Sequence, residues 1–324
     1  GRGCHFDPLA PAGGEGQGEG VPQDAGTVLM NDPRQGTPNP GIDKSAVIAV
    51  GGNALIRAGQ QGTIPEQFEN ARATAAHVGA LVSDGWRVVL THGNGPQVGF
   101  ILRRSEIVAE TDFTPRLTLD VCVADSEGGI GYLLANSLVS ELGRRGMADR
   151  VVCVLTQTVV DPKDPAFQHP SKPIGRGYSA EEALRHRTRD GWVMAEDAGR
   201  GYRRLVPSPR PVRIVEAEAI GALLHAGFVV IACGGGGIPV VEEAPGVYRG
   251  VEAVVDKDFA SSYLAAHLGV PVFLVSTGVE KVAIRFRKPG ERSLDRMTLA
   301  EARGYLDAGE FPEGSMGPKV RAAM

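Results

Sequence analysis

The sequence predicts an α/β fold: a three-layer α/β/α sandwich around a mainly parallel open sheet, with a lid subdomain protruding from it. Three observations predict it. Short apolar, β-branched runs alternate with stretches of helical periodicity, and the runs carry no polar face. Glycine-rich turns follow several of those runs directly. Strands that are apolar throughout need cover on both sides, and helical crossovers between parallel strands supply it.

The elements follow in order from Ser45. SAVIAV reads as a buried strand and passes straight into GGNAL. From Glu66 to Ser83, apolar residues at Phe68, Ala71, Ala75, Val78, Leu81 and Val82 recur at helical spacing. WRVVLT is a second strand, ended by HGNGP, and a helix is expected from Gln97 to Glu110. Ser126 to Gly146 reads as a helix closed by Gly146. VVCVLTQTVV reads as one strand. A helix near Val215–Ala226, the strand FVVIAC, a helix over Phe259–Leu268, and the strands VFLVS and EKVAIRF complete the pattern. The folded domain is expected over 45–324.

Two stretches break the rhythm. Residues 1–44, with GGEGQGEG and PRQGTPNPG, are almost without apolar residues and read as a disordered N-terminal tail, within which Met30 is a candidate natural start. Residues 161–211 are rich in Pro, Gly, Arg and His and hold too few aliphatics for a core of their own. An irregular insertion of that length is expected to be functional, as a lid, with a passive surface loop as the alternative.

Composition excludes several classes. A formal charge of −4 and a pI near 6.0 argue against a nucleic-acid-binding protein, which carries a basic face. No apolar run approaches the roughly 20 residues of a membrane span, and no signal peptide opens the chain. The four cysteines, Cys4, Cys122, Cys153 and Cys233, are scattered without a C-x-x-C pair. Cys153 and Cys233 sit in or at the end of apolar runs, so free buried thiols are expected there and the localisation is read as cytoplasmic.

The 44 glycines point to turns where backbone approaches a ligand. GGNA, HGNGPQ and GGGGIP each follow a strand. In an open parallel sheet, ligands sit beyond the carboxyl ends of the strands, so three such loops should converge on one crevice as an anion cradle. Any one of them alone could be no more than a tight strand–helix turn. No G-x-x-x-x-G-K-[ST] is present, and the single G-x-G-x-x-A, Gly175 to Ala180, follows no predicted strand. Lys172 in SKPIG, Lys257 in VVDKDFA and Lys319 after GSMGP stand beside glycine, proline or aspartate in non-repetitive segments. Taken singly, each reads as a solvated surface lysine. Together they supply the fixed positive charge that phosphoryl transfer needs.

The set AVGGNAL, THGNGPQVG, LDVCVADSEGGIGY, TQTVVDPKDPAFQHPSKPIG, EDAGRGYRRLVPSPRP, CGGGGIPV, YRGVEAVVDKDFAS and GSMGPK, in this order from Ala46 onward, resembles the carbamate kinases of the amino-acid-kinase superfamily. The resemblance implies reversible phosphoryl transfer between ATP and carbamate, giving ADP and carbamoyl phosphate, in arginine fermentation. Magnesium would be held mainly by the nucleotide phosphates, and no metal ligand is assigned in the chain. By the same resemblance Gly51, Gly52, Asn53, Asn94, Gly95, Gly234, Gly235 and Gly236 line the carbamate and phosphate cradle. Lys172, Lys257 and Lys319 stabilise the transferring group, and Asp258 orients the lysines. Thr277, Val279, Met316 and Lys319 meet the nucleotide. A homodimer through the helix around Gly131–Leu142 is implied as well. The chain departs from the family's pattern in CVADSEGG, where Asp125 and Glu127 add negative charge, and the family continues past GPK, so the C-terminus reads as truncated. The alternatives are a truncated, inactive member that still binds nucleotide, and a superfamily kinase for another small acid.

Overall fold

The computed structural model describes residues 44–52, 55–57, 59–111, 114–147, 149–197, 201–312 and 315–324. The tail expected over 1–44, apart from Lys44, and Asn53 lie outside the described residues. β1 (Ser45–Val50) leads to α1 (Ile64–Ser83), whose first turn is closed by Glu66 Oε2 accepting from Thr63 N at 2.8 Å. β2 (Arg87–His92), α2 (Gln97–Thr111) and α3 (Leu119–Gly143) follow, then β3 (Val151–Cys153) and β4 (Gln157–Val160). The insertion holds β5 (Lys172–Tyr178), α4 (Ala180–Asp190), β6 (Val193–Asp197) and β7 (Gly201–Val206). The chain returns through β8 (Pro211–Ile214), α5 (Ala217–His225), β9 (Val229–Ile231), β10 (Ile238–Ala244) and β11 (Val247–Gly250). It continues with α6 (Lys257–His267), β12 (Val272–Val275), β13 (Val282–Ile284), β14 (Arg292–Leu294), α7 (Leu299–Asp307) and α8 (Met316–Ala323).

The central sheet has the order β12-β1-β2-β9-β3 with every pair parallel. Its two faces are read off β1 alone. Ala46, Ile48 and Val50 join a core with Ala71, Ala75 and Val78 of α1 and Leu134, Leu138 and Leu142 of α3. Val47 points the other way and packs with Val89, Val230, Ile220 of α5 and Leu264 of α6. Period-two alternation with both sides apolar is the sandwich the sequence predicts. The register places Val50 opposite His92 and Leu90 opposite Ile231, so the glycine turns after β1, β2 and β9 all leave from the same edge.

Four expectations are corrected. α3 begins at Leu119, not Ser126, because Leu119, Cys122 and Val123 at i, i+3, i+4 pack against Val98 and Leu102 of α2. It ends at Gly143, and Gly146, at φ +75°, lies in the turn that follows. VVCVLTQTVV divides into β3 of the central sheet and β4 of a mixed sheet ordered β11-β10-β4-β8. The break falls at Thr156, whose N–H donates to Glu127 Oε2 and whose Oγ1 accepts from Cys233 N, while its carbonyl already accepts from Ile238 N of β10. Cys122 and Cys233 are buried, but Cys153 is exposed, at the end of the edge strand β3.

The insertion is regular rather than irregular. β5, β7 and β6 form an antiparallel sheet in that order, and Tyr178, Ala183, Trp192 and Met194 are its buried core. Aromatic rings replace the missing aliphatics: His186 stacks on Trp192 with centroids 4.3 Å apart, and Arg204 lies 4.5 Å from the Trp192 ring centroid.

Candidate active site

The three glycine turns interlock so tightly that a side chain has no room. A Cβ on Gly52 would lie 2.3 Å from Gly95 O, and one on Gly235, at φ +66°, would lie 2.3 Å from Asn94 Nδ2. Glycine at these positions is a requirement of backbone approach. Gly93 N donates to Val50 O at 3.0 Å, which ties the second turn to the end of β1.

Three lysines from three elements reach this edge. Asp256 caps α6, its Oδ1 accepting from Asp258 N at 2.9 Å, so Lys257 and Asp258 stand in the first helical turn. Lys257 Nζ bonds to Asp258 Oδ1, and Lys319 Nζ, from α8, donates to Asp258 Oδ2 at 3.0 Å. Lys172, the first residue of β5 in the insertion, donates to Val255 O at 3.2 Å and pairs with Asp256 Oδ2 at 3.4 Å. Two aspartates thus hold three lysines around a cleft of about 300 Å³, lined also by Asn94, Gly95, Gly235 and Arg203. Burial holds the Lys257 ammonium below the usual lysine range, with Asp258 working in the opposite sense. For Asp256, burial acts to raise the carboxyl, but Lys172 and the Asp258 N–H outweigh it and the net direction is downward. Asn94 is buried, and among the described residues its Nδ2 has no hydrogen-bond partner.

A second, apolar pocket of about 260 Å³ adjoins the cleft. Phe273, Val275, Thr277, Met316 and Val320 line it, and Lys319 lines both spaces. Anionic ligand chemistry on one side of Lys319 and apolar cover on the other suit a molecule with a charged tail and a flat, weakly polar head.

The expected residues divide accordingly. Lys172, Lys257, Asp258, Lys319, Asn94, Gly95 and Gly235 line the cleft. Thr277 and Met316 line the apolar pocket, whereas Val279, 36% exposed, does not. Gly51, Gly52, Gly234 and Gly236 are not among the residues lining the cleft, and the Gly234 N–H is donated to Glu127 Oε1. Asn53 is outside the described residues. Sequence reading missed Asp256 and Arg203. The signal for Asp256 was present, an aspartate at the strand-to-helix junction in cap position. Arg203 had none, since GYRRL gives no sign of which arginine faces the cleft.

Sequence comparison supplies the family. A profile described as the amino acid kinase family matches residues 44–324. The chain belongs to the amino acid kinase family. Within it, the chain is 47% identical over 282 residues to the carbamate kinase of Thermococcus kodakarensis, covering 87% of this chain and 89% of that one. It is also 47% identical to a carbamate kinase-like protein of Escherichia coli, covering 86% and 88%. Among solved structures, carbamate kinase from Giardia lamblia bound to AMP-PNP superposes with a TM-score of 0.80 at 42% identity, over 86% of this chain and 88% of that one. The α/β/α sandwich and its mainly parallel sheet are therefore those of this family.

Proposed function

We propose that this chain is a carbamate kinase, moving a phosphoryl group reversibly between ATP and carbamate to give ADP and carbamoyl phosphate. The observation that carries the reading is the convergence of Lys172, Lys257 and Lys319 with buried Asn94 on one small cleft. The reading agrees with the chain's relatives, the carbamate kinases of Thermococcus kodakarensis and Giardia lamblia. The transferring phosphoryl group spreads charge over its oxygens and asks the protein for position and positive charge. Lys257 and Lys319, held by the same aspartate, meet that charge from the core, and Lys172 meets it from the lid. Among the described residues the Asn94 amide N–H group is an unspent buried donor, suited to a carbamate or phosphate oxygen. Carbamate offers little surface, so positioning and charge carry the rate.

The adenine and ribose of the nucleotide occupy the apolar pocket under Met316 and beside Thr277, with Lys319 turned to the phosphates. Both cleft aspartates are engaged by lysines. That donor set fits a magnesium ion carried by the nucleotide phosphates; when bound, it neutralises part of their charge.

The lid is the segment 161–211, and the folded domain runs over 45–324. The pathway reading is ATP formation in arginine fermentation, in the cytoplasm. A homodimer through α3 accords with Tyr132 and Val139, seven residues apart on one helix face and 61% and 40% exposed. Among the described residues no helix is long and apolar enough to cross a membrane.

A coupled assay for ATP formed from ADP and carbamoyl phosphate tests the reading, and no ATP above background would sink it. The equal identity to a relative named only carbamate kinase-like makes a panel of other small acids the second arm. A faster rate on one of those would reassign the substrate and keep the phosphoryl chemistry.

A further inference from the structure

Glu127 has no part in the chemistry above, yet it is 1% exposed in the middle of α3, and among the described residues no lysine or arginine forms an ion pair with it. Its oxygens are spent on backbone. Oε1 accepts from Gly234 N at 2.8 Å and Oε2 from Thr156 N at 3.1 Å. The first N–H opens the glycine turn after β9, and the second lies at the break between β3 and β4. Thr156 Oγ1 in turn accepts from Cys233 N at 2.9 Å, so the two loops are joined twice. Gly234 is closely enclosed: the point its Cβ would take lies 2.5 Å from His92 Nε2 and 2.7 Å from Glu127 Cγ. The next residue, Gly235, abuts the Asn94 side chain and lines the cleft.

We propose that Glu127 is a positioning residue of the kinase site, whose carboxylate clasps Gly234 to Thr156 and thereby sets where Gly235 and Asn94 meet the transferring group. The proposal rests on the phosphoryl-transfer reading. A carboxylate suits the task because both partners are N–H donors. An amide offers one acceptor oxygen and turns an NH₂ donor toward the other N–H. Protonation of Glu127 has a similar effect, converting one acceptor into a donor.

Burial pushes the Glu127 carboxyl up to about 8, against the lowering effect of its two backbone partners, with Glu216 adding to the rise. The groups facing it from neighbouring elements are Glu216 before α5, Cys153 of β3 and Cys233 at the glycine turn, and His92 at the end of β2 meets the same Gly234. Burial first, and Glu127 second, push the Cys233 thiol well above its usual range. Burial lowers His92 to about 4. The clasp is half formed at about pH 8, is complete only well above it, and is lost as the pH falls below it.

Glu127→Gln, equal in size, tests it. With ADP and carbamoyl phosphate at about pH 9, its kcat should fall about tenfold below the unmodified chain, the loss of one charge-assisted hydrogen bond, while KM for ADP stays within about twofold. At about pH 6.5 the ratio should approach one, since the unmodified clasp is then protonated too. Titrations elsewhere in the site cancel in the ratio. Glu127→Asp keeps an ionisable group and should keep a pH-dependent ratio. Amide exchange over residues 232–238 at about pH 9 should be faster in Glu127→Gln. A ratio within about twofold of one at every pH, or unchanged exchange, overturns the clasp. If the unmodified chain makes no ATP from carbamoyl phosphate, the carbamate reading fails separately, and exchange in the ADP-bound protein decides the clasp.

Discussion

Lys319 and Asp258 stand 61 residues apart in the chain and meet at 3.0 Å, Nζ to Oδ2, while the other oxygen of the same carboxylate holds Lys257. One aspartate therefore keeps two ammonium groups side by side. Asp258→Asn removes the charge that offsets their repulsion and the influence that raises Lys257 against its burial. Turnover should fall about tenfold to a hundredfold, the range for loss of a partner in a preorganised charged site. The pH dependence has a definite sign. Lys257 acts as ammonium, so its contribution is lost as pH rises through its lowered pKa, and Asp258→Asn should move that alkaline loss to lower pH. A pH profile of kcat/KM unchanged in shape would show that Lys257 is not the titrating group.

Lys172 reaches the cleft from the lid, held by Val255 O and Asp256 and exposed over about a quarter of its side chain. Lys172→Ala should reduce turnover by well over tenfold, since a charge-assisted contact at the transferring group is worth on the order of 2–4 kcal/mol. Thermal stability should change little, because a part-exposed ion pair contributes on the order of 1 kcal/mol or less. A near-unchanged kcat in steady-state assays would return Lys172 to a surface role.

The apolar pocket predicts the opposite kinetic split. Met316→Ala removes cover from the space shared with Phe273, Val275 and Thr277. KM for ADP should rise about fivefold to tenfold, in line with roughly 1–1.5 kcal/mol of lost apolar contact, and kcat should stay near its original value. Calorimetry of ADP binding checks it: an unchanged Kd places the nucleotide base elsewhere.

What was legible in the sequence follows from how local each signal is. β1, β2, α1, α2 and α5 announce themselves through periodicity and flanking turns, and the ends of β1, β2 and β9 mark the crevice because the glycines follow strands directly. The lid was misjudged because its core is aromatic. Trp192, Tyr178 and His186 are scattered among arginines and glycines, and no run of aliphatics betrays the alternation of β5 and β7. The split of VVCVLTQTVV was hidden for a different reason. Its cause is Glu127, about thirty residues upstream, bonding Thr156 N, and a side-chain partner at such distance leaves no local trace. Glu127 itself stood out only as a departure in charge, and its role depends on two loops that converge in space alone.

The exposed face of α3 bears on assembly. Tyr132 and Val139, with Phe68 of α1 packed edge-on to the Tyr132 ring at 6.0 Å, present an apolar surface on α3. The unmodified chain should sediment as a dimer, and Tyr132→Glu, which places a charge at that face, should sediment as a monomer with an unchanged circular dichroism spectrum. A monomer in both cases rules α3 out as a dimer face.

Trp192 tests whether the lid is a separate cooperative unit whose order the chemistry requires. The ring is 8% exposed, stacked on His186 at an interplanar angle of 7° and flanked by Arg204 and Arg116. It belongs to the small core with Tyr178, Ala183 and Met194, which is distinct from the two cores that flank the central sheet. Trp192→Ala should cost the lid about 3–5 kcal/mol, the usual loss for a buried aromatic. That exceeds what so small a core can spare, whereas the packing between β1, α1 and α3 is untouched. Amide exchange should therefore quicken across residues 172–206 while the main thermal transition moves little. Because Lys172 opens β5, kcat should fall nearly as far as in Lys172→Ala, and ADP affinity, which the proposed function assigns to the pocket lined by β12, α7 and α8, should persist. The double variant with Lys172→Ala should then lose little more than either change alone, since both remove the same ammonium from the cleft. Full additivity of the two losses would mean that the lid serves the reaction through some residue other than Lys172, and Arg203, which lines the same cleft from β7, would be the first to examine.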